Sequence, residues 1–153
     1  MKAVVQRVNN ASVIVDDVVI GRIDLGLLVY LGVAHDDGES DAGWLAEKIA
    51  FLRIFNDADG KMNLSLKDLN DNGIPSGVLV ISQFTLLADA RKGRRPSWNG
   101  AAAPGKANHL YEYFIEAVRK LGLVCEKGEF QAHMKVSYTN DGPVTVILDT
   151  QDL

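Results

Sequence analysis

Apolar residues in the first third of the chain come in short β-branched runs broken by polar pairs, the pattern of strands. Lys2 to Val8 reads as one strand. Ala11 to Val15 and Val18 to Ile23 flank Asp16-Asp17 and predict a hairpin. Leu25 to Ala34, apolar with two glycines, predicts a central buried strand. The period then changes. Behind a cap at Ser40 or Asp41, Trp44, Leu45, Lys48, Ile49 and Leu52 recur at helical spacing, with the Lys48 stem at the edge of the stripe. Arg53-Ile54-Phe55 begins another strand, ended by the Asp59-Gly60 turn. Lys67 to Ser76 is polar and predicts a loop. Gly77 to Leu87 is the most apolar strand, and Arg91 to Gly100 is a loop. Pro104 suits the first turn of a second helix, with Ala107, Leu110, Tyr111, Phe114, Val118 and Leu121 on one face and Gly122 at its end. Leu123 to Phe130, Met134 to Thr139 and Val144 to Asp149 complete about eight strands. Helices and strands do not alternate strictly. The expected class is therefore mixed α/β: one domain over residues 1–153, a layered, barrel-like mixed sheet system with two main helices packed on one side.

Composition narrows the setting. The chain has 153 residues, 47% of them hydrophobic and 24% charged, which suits a single domain with a substantial core. No apolar run approaches the ~18 residues of a membrane helix, so no membrane partner is expected. The opening Met1 to Arg7 offers no signal-peptide pattern. Cys125 is the only cysteine, which excludes an internal disulfide and favours a reducing, cytoplasmic setting. Net charge is -4, whereas a protein that wraps a long stretch of nucleic acid is usually basic. Any RNA contact should therefore be a local patch with a small footprint.

Several catalytic signatures fail. Gly100-Ala101-Ala102-Ala103-Pro104-Gly105-Lys106 matches most of a phosphate-binding loop, but Ala107 replaces the Ser/Thr that binds magnesium. Asp68-Leu69-Asn70-Asp71-Asn72-Gly73 matches half of a calcium loop, with Leu79 where the bidentate Glu belongs. His35, His109 and His133 are scattered, without the spacing of a zinc site. No metal and no cofactor is expected. There is no Gly-x-Ser-x-Gly elbow. A Ser/Thr–His–Asp set stays open, since its members need not be neighbours in sequence.

Three segments remain. Ser82-Gln83-Phe84-Thr85-Leu86 closes the most apolar strand and places hydrogen-bonding side chains in an otherwise apolar stretch; composition alone favours Ser82 and Thr85 satisfied by nearby backbone at a bulge or turn. Arg91-Lys92-Gly93-Arg94-Arg95-Pro96-Ser97-Trp98 puts four of the chain's 16 Lys and Arg within five positions, beside an aromatic. It suits phosphate and base contact, or a solvated loop. Asn140-Asp141-Gly142-Pro143-Val144-Thr145 is a polar turn between strands, whose Gly-Pro peptide sequence alone does not assign as cis.

Together these segments resemble the D-aminoacyl-tRNA deacylases. The likeness runs along nearly the whole chain: Met1 to Val8, Leu52-Arg53-Ile54-Phe55 and Gly60 to Ser65 match as well. The Ser-Gln-x-Thr and Asn-x-Gly-Pro-x-Thr motifs are intact, in order, about sixty residues apart. The resemblance implies a homodimeric cytoplasmic esterase with active sites at the subunit interface. It would cleave the bond between a D-amino acid, such as D-tyrosine or D-phenylalanine, and the 3′-terminal ribose of transfer RNA. It implies a cis Gly142-Pro143 that reaches into the partner's site and leaves no room for an L side chain. Glycine, lacking a side chain, would pass too, as the family's removal of glycine from transfer RNA for alanine implies. Ser82, Gln83, Phe84 and Thr85 would line the pocket. Phe130 and Met134 would hold the terminal adenosine, with Arg91, Arg94 and Arg95 as further contacts to the RNA. For hydrolysis, one reading makes Thr85 the nucleophile, although no base is evident near it in sequence. The other uses the substrate's 2′-hydroxyl to activate water, with backbone N–H groups near Phe84 and Thr85 on the oxyanion. The resemblance favours the second and gives Thr85 an orienting role. A non-enzymatic RNA-binding module using Arg91 to Trp98 is the competing reading. Gln131 departs from the family's usual Phe-Gly-Ala at residues 130–132, beside the presumed adenosine position.

Overall fold

The computed structural model describes residues 1–152. Strand β1 (Lys2–Val15) is the spine of a six-stranded mixed sheet. One of its edges is shared by β3 (Gly26–Gly32), which pairs with Lys2 to Val8, and β2 (Val18–Ile23), which pairs with Ala11 to Val15. Its other edge is taken by β8 (Lys135–Asp149), and all three pairings are antiparallel. Then β6 (Gly77–Ser82) pairs parallel with β3, and β7 (Val124–Lys127) parallel with β6. A small hairpin, β4 (Phe55–Asn56) with β5 (Met62–Leu64), stands apart from this sheet.

Three helices complete the chain: α1 (Glu39–Ala50), α2 (Leu66–Asp71) and α3 (Pro104–Lys120). The buried stripes of α1 (Leu45, Ile49) and α3 (Leu110, Phe114) meet Val5, Leu27, Val29, Val78 and Val80 on one face of the sheet. The opposite face buries Val8, Val13, Leu28, Leu79 and Ile81, because the sheet curls until β2 packs against β6 and β7. Strands β3 and β6 are thus covered on both sides, which is why their sequences are continuously apolar rather than alternating. The mixed class and barrel-like layering expected from sequence are found.

Several boundaries differ, each for a local reason. The two expected strands before Asp16 are one. Asn9 and Asn10 do not break it, because their side chains bond to Asp141 Oδ1 (3.3 Å) and Thr139 Oγ1 (3.2 Å) across an irregular stretch of the β1–β8 pairing. Likewise Met134 to Thr139 and Val144 to Asp149 belong to the single strand β8. Asp16 and Asp17 turn the predicted hairpin with φ of 47° and 62°, the left-handed pair of a type I′ turn.

The apolar strand expected through Leu87 leaves the sheet after Ser82, and the strand expected from Arg53 holds only Phe55 and Asn56 beside β5. The strand expected from Leu123 to Phe130 pairs only over Val124–Lys127. Helix α1 starts from Gly38, not from Ser40 or Asp41; the Asp41 carboxylate reaches back to accept the Gly38 N–H at 2.8 Å.

Helix α2 lies in the stretch expected to be loop. Six residues long and rich in Asp and Asn, it has little periodic signal. Its capping box was the available clue. Ser65 Oγ accepts the Asp68 N–H at 3.1 Å, and the Asp68 carboxylate accepts the Ser65 N–H at 2.8 Å. The Ser65 hydroxyl also donates to the Asp68 carboxylate at 2.6 Å, and this bond with the Ser65 N–H holds the Asp68 carboxyl below the usual carboxylate range.

Candidate active site

The site begins where β6 ends. Past Ser82 the chain leaves the sheet: Gln83 donates its N–H to Leu31 O at 2.8 Å, and Phe84–Leu87 wind into one 3-10 turn. A cavity of about 570 Å³ opens there, bordered on this side by Leu31, Ile81, Ser82, Gln83 and Phe84. The opposite walls are Ala101, Ala102, Pro104 and Ala107 at the entry of α3, and Phe130 to Met134 between β7 and β8. Both walls are pinned. His35 N–H donates to Gly100 O (3.1 Å) and Ala102 N–H to Val33 O (2.9 Å). The buried Tyr111 hydroxyl donates to Val80 O (2.9 Å), with Gly128 O at 3.3 Å, and its ring meets Phe130 at 6.2 Å between centroids. Burial pushes that phenol well above its ordinary pKa, so it stays protonated as a structural donor.

A second feature lies elsewhere. Gly142 and Pro143 form an exposed turn inside β8, joined by a cis peptide. Asn140 holds the turn closed: its Nδ2 donates to Thr145 Oγ1 (3.1 Å) and its Oδ1 accepts the Val144 N–H (3.3 Å). Gln6 Nε2 donates to the same threonine oxygen at 3.1 Å. Beneath the turn lies Arg7, only 8% exposed, which donates to Ile54 O at 2.7 Å. Its Nε stands 3.0 Å from the Asp141 carboxylate without a hydrogen-bonding angle, so that contact is an ion pair only. No sequence motif marked Arg7; a charge within an apolar strand was its signal.

The family model for D-Tyr-tRNA(Tyr) deacylase matches residues 4–149. Proteins named D-aminoacyl-tRNA deacylase are 55% identical in Thermotoga petrophila, over 100% of this chain and 99% of that one, and 52% identical in Clostridioides difficile, over 98% and 97%. The chain belongs to the D-Tyr-tRNA(Tyr) deacylase family. A solved c-Myc DNA unwinding element binding protein is 38% identical, with a TM-score of 0.89 over 98% of this chain and 99% of that one. A probable eukaryotic D-amino acid tRNA deacylase shares the fold at 16% identity and a TM-score of 0.81, over 96% and 97%.

The residues singled out in the sequence fall into two groups. Ser82, Gln83, Phe84, Phe130 and Met134 all border the cavity, as do Gln131 and His133. Thr85 does not; it is exposed, and its hydroxyl accepts from the Gln83 side-chain amide. Gly142 and Pro143 also lie off the cavity. They sit six and seven residues along β8 from the lining residue Val136, on the order of 20 Å at ~3.3 Å per residue.

The basic loop stands at the cavity's edge. Asp89 and Ser97 exchange backbone hydrogen bonds (2.8 and 3.0 Å) across its base, and Trp98 packs edge-on against Phe84 at 5.6 Å. Arg91 is committed within the loop: its Nε and Nη2 donate to the two Asp89 oxygens at 2.9 and 2.7 Å. That pair holds the Asp89 carboxyl far below the usual range. Arg94 and Arg95 are exposed.

Proposed function

We propose that the chain is a homodimeric D-aminoacyl-tRNA deacylase, one domain over residues 1–153, that works in the cytoplasm on the 3′ end of charged transfer RNA. Family membership carries the reaction, and the cavity at the end of β6 supports the site. The terminal adenosine lies against Phe130 and Met134. The aminoacyl ester sits by Ser82, Gln83 and Phe84. Arg94 and Arg95 stand toward the RNA backbone, with Arg91 shaping their loop.

One observation supports the dimer. Within a chain the Gly142-Pro143 turn lies outside the cavity, on the order of 20 Å along β8 from its lining residue Val136. The 15-residue strand β8 has no partner but β1 among the described residues and no buried residue of its own, and Ile147 on it is 74% exposed. Long unpaired edges call for a cover. A second copy on that edge brings each turn to the other's cavity. The turn then acts as a backbone wall against the α-carbon. Such a wall rejects an L side chain, tolerates a D side chain of any kind, and lets glycine pass, including glycine mischarged on transfer RNA for alanine.

Hydrolysis adds water across the ester: the carbonyl carbon gains the water oxygen, and the ribose 3′-oxygen leaves and takes a proton. Phe84 and Thr85 open a 3-10 turn, so their N–H groups lack acceptors within it and suit an oxyanion. The Thr85 hydroxyl is bonded to an amide, which cannot take its proton, and this supports the reading in which the substrate's 2′-hydroxyl activates water.

Two measurements test this. D-tyrosyl-tRNA should be hydrolysed and L-tyrosyl-tRNA left intact; equal rates on both hands would sink the reading, and salt-sensitive binding without hydrolysis would leave only an RNA-binding module. Thr85→Ala should stay within roughly ten-fold of wild type, since loss of a true nucleophile costs on the order of 10⁴ or more. A loss of that size in a folded variant would restore Thr85 as the nucleophile.

A further inference from the structure

The wall formed by the β7–β8 connection holds a residue in an unfavourable conformation. Ala132 donates its N–H to Glu129 O at 3.2 Å, closing a four-residue turn with Phe130 and Gln131 at its centre. Gln131 has φ of 64°, and Phe130 is not among the residues with positive φ. A positive φ at the third position alone defines a type II turn, where glycine or asparagine is the favoured residue. Glutamine has no local side-chain bond to offset that cost.

Position and chemistry point to what this side chain does. Phe130, Gln131 and Ala132 all border the cavity, and of the three only Gln131 carries side-chain donors and an acceptor. Phe130 is anchored on Tyr111 and presents an aromatic surface suited to stacking a base. Every transfer RNA ends in adenosine, whose edge offers an exocyclic amine as donor next to a ring nitrogen as acceptor. A carboxamide complements that pair with two hydrogen bonds. We propose that Gln131 reads the base edge of the terminal adenosine through its side-chain carboxamide, a contact that rests on the deacylase reading above.

Two variants separate the carboxamide from the backbone. Gln131→Gly adopts the positive φ freely and so keeps the turn. Gln131→Met keeps side-chain length and the backbone cost but removes the hydrogen-bonding groups. The probe is an acceptor-stem microhelix carrying D-tyrosine through a stable 3′-amide, made once with terminal adenosine and once with purine riboside, which lacks the exocyclic amine. Wild-type protein should bind the adenosine form roughly five-fold more tightly, the scale of one net hydrogen bond. Both variants should bind the two forms alike, and more weakly than wild type binds purine riboside, because they lose both hydrogen bonds and purine riboside only one. An unchanged ratio in either variant, no ratio in the wild type, or no binding of either form overturns the proposal. Hydrolysis of the D-tyrosyl ester is followed in parallel with wild-type protein. Its absence refutes the deacylase reading separately, while the binding ratio still judges Gln131.

Discussion

Gly142→Ala is expected to slow hydrolysis of D-tyrosyl-tRNA about 100-fold while leaving the fold standing. A Cβ at residue 142 would lie 2.8 Å from Val144 Cγ2, 3.0 Å from Arg7 Nη2 and 3.1 Å from Val144 N. Gly142 also has φ of 117°, where side chains other than glycine's are strained at a cost of about 1–3 kcal/mol. The turn cannot absorb this in place. Arg7 is buried and tied to Ile54 O, and Asn140 closes the turn from the other side. The turn must therefore shift, and in the proposed role a shift of about 1 Å in a positioning element costs roughly 10² in rate. Gly142 is exposed and belongs to neither core, so the melting temperature should fall by no more than roughly 10 °C. Rates on D- and L-tyrosyl-tRNA, with thermal melts of the same samples, check this. Wild-type rates on D-tyrosyl-tRNA would remove the turn from the site.

Gly26→Ala is expected to abolish the fold rather than the chemistry. Gly26 opens β3 and pairs with Gly77, the first residue of β6. A Cβ on Gly26 would lie 1.9 Å from Gly77 O and 2.9 Å from Gly77 C and N. These are backbone atoms held in register, since Gly77 N–H donates to Leu25 O at 3.1 Å. No rotamer relieves the overlap, so the central parallel pair must separate. Both strands are buried on two faces, and separation opens both cores. The loss should exceed about 4 kcal/mol, a large share of the ~5–15 kcal/mol that stabilises a domain. Insoluble expression, or a melting temperature lower by at least roughly 10 °C, is the expected result. A variant melting within roughly 3 °C of wild type would show that the strand ends spread freely.

Much of the fold was legible because its signals are local. The Asp16-Asp17 hairpin, the α3 stripe from Ala107 to Leu121 and the apolar β6 need only neighbouring residues to be recognised. Elements failed where the deciding contact was distant. Asn9 and Asn10 read as a break, yet bond to residues on β8 more than a hundred positions away. Helix α2 was missed because its cap is two side-chain bonds rather than a periodic stripe. The site divides in the same way. Ser82 to Phe84 and Phe130 were singled out from motif and resemblance and do border one cavity. Arg7, in no motif, lies under the Gly142 turn. Arg91 stood in the basic run as a phosphate contact, but Asp89 already occupies its guanidinium.

By itself the sequence determined most of the strands and the two long helices, the mixed α/β class, and through two short motifs the family. Apolar periodicity and motif residues are written along the chain, so no spatial knowledge is needed to read them. Tertiary structure alone decided that Thr85 is exposed and not among the residues bordering the cavity it was expected to line. It also decided that Gln131 pays for a left-handed turn at the cavity wall, and that the Gly142-Pro143 turn stands clear of its own chain's cavity. Each of these depends on where a strand ends and which way the chain then bends, which distant backbone contacts set.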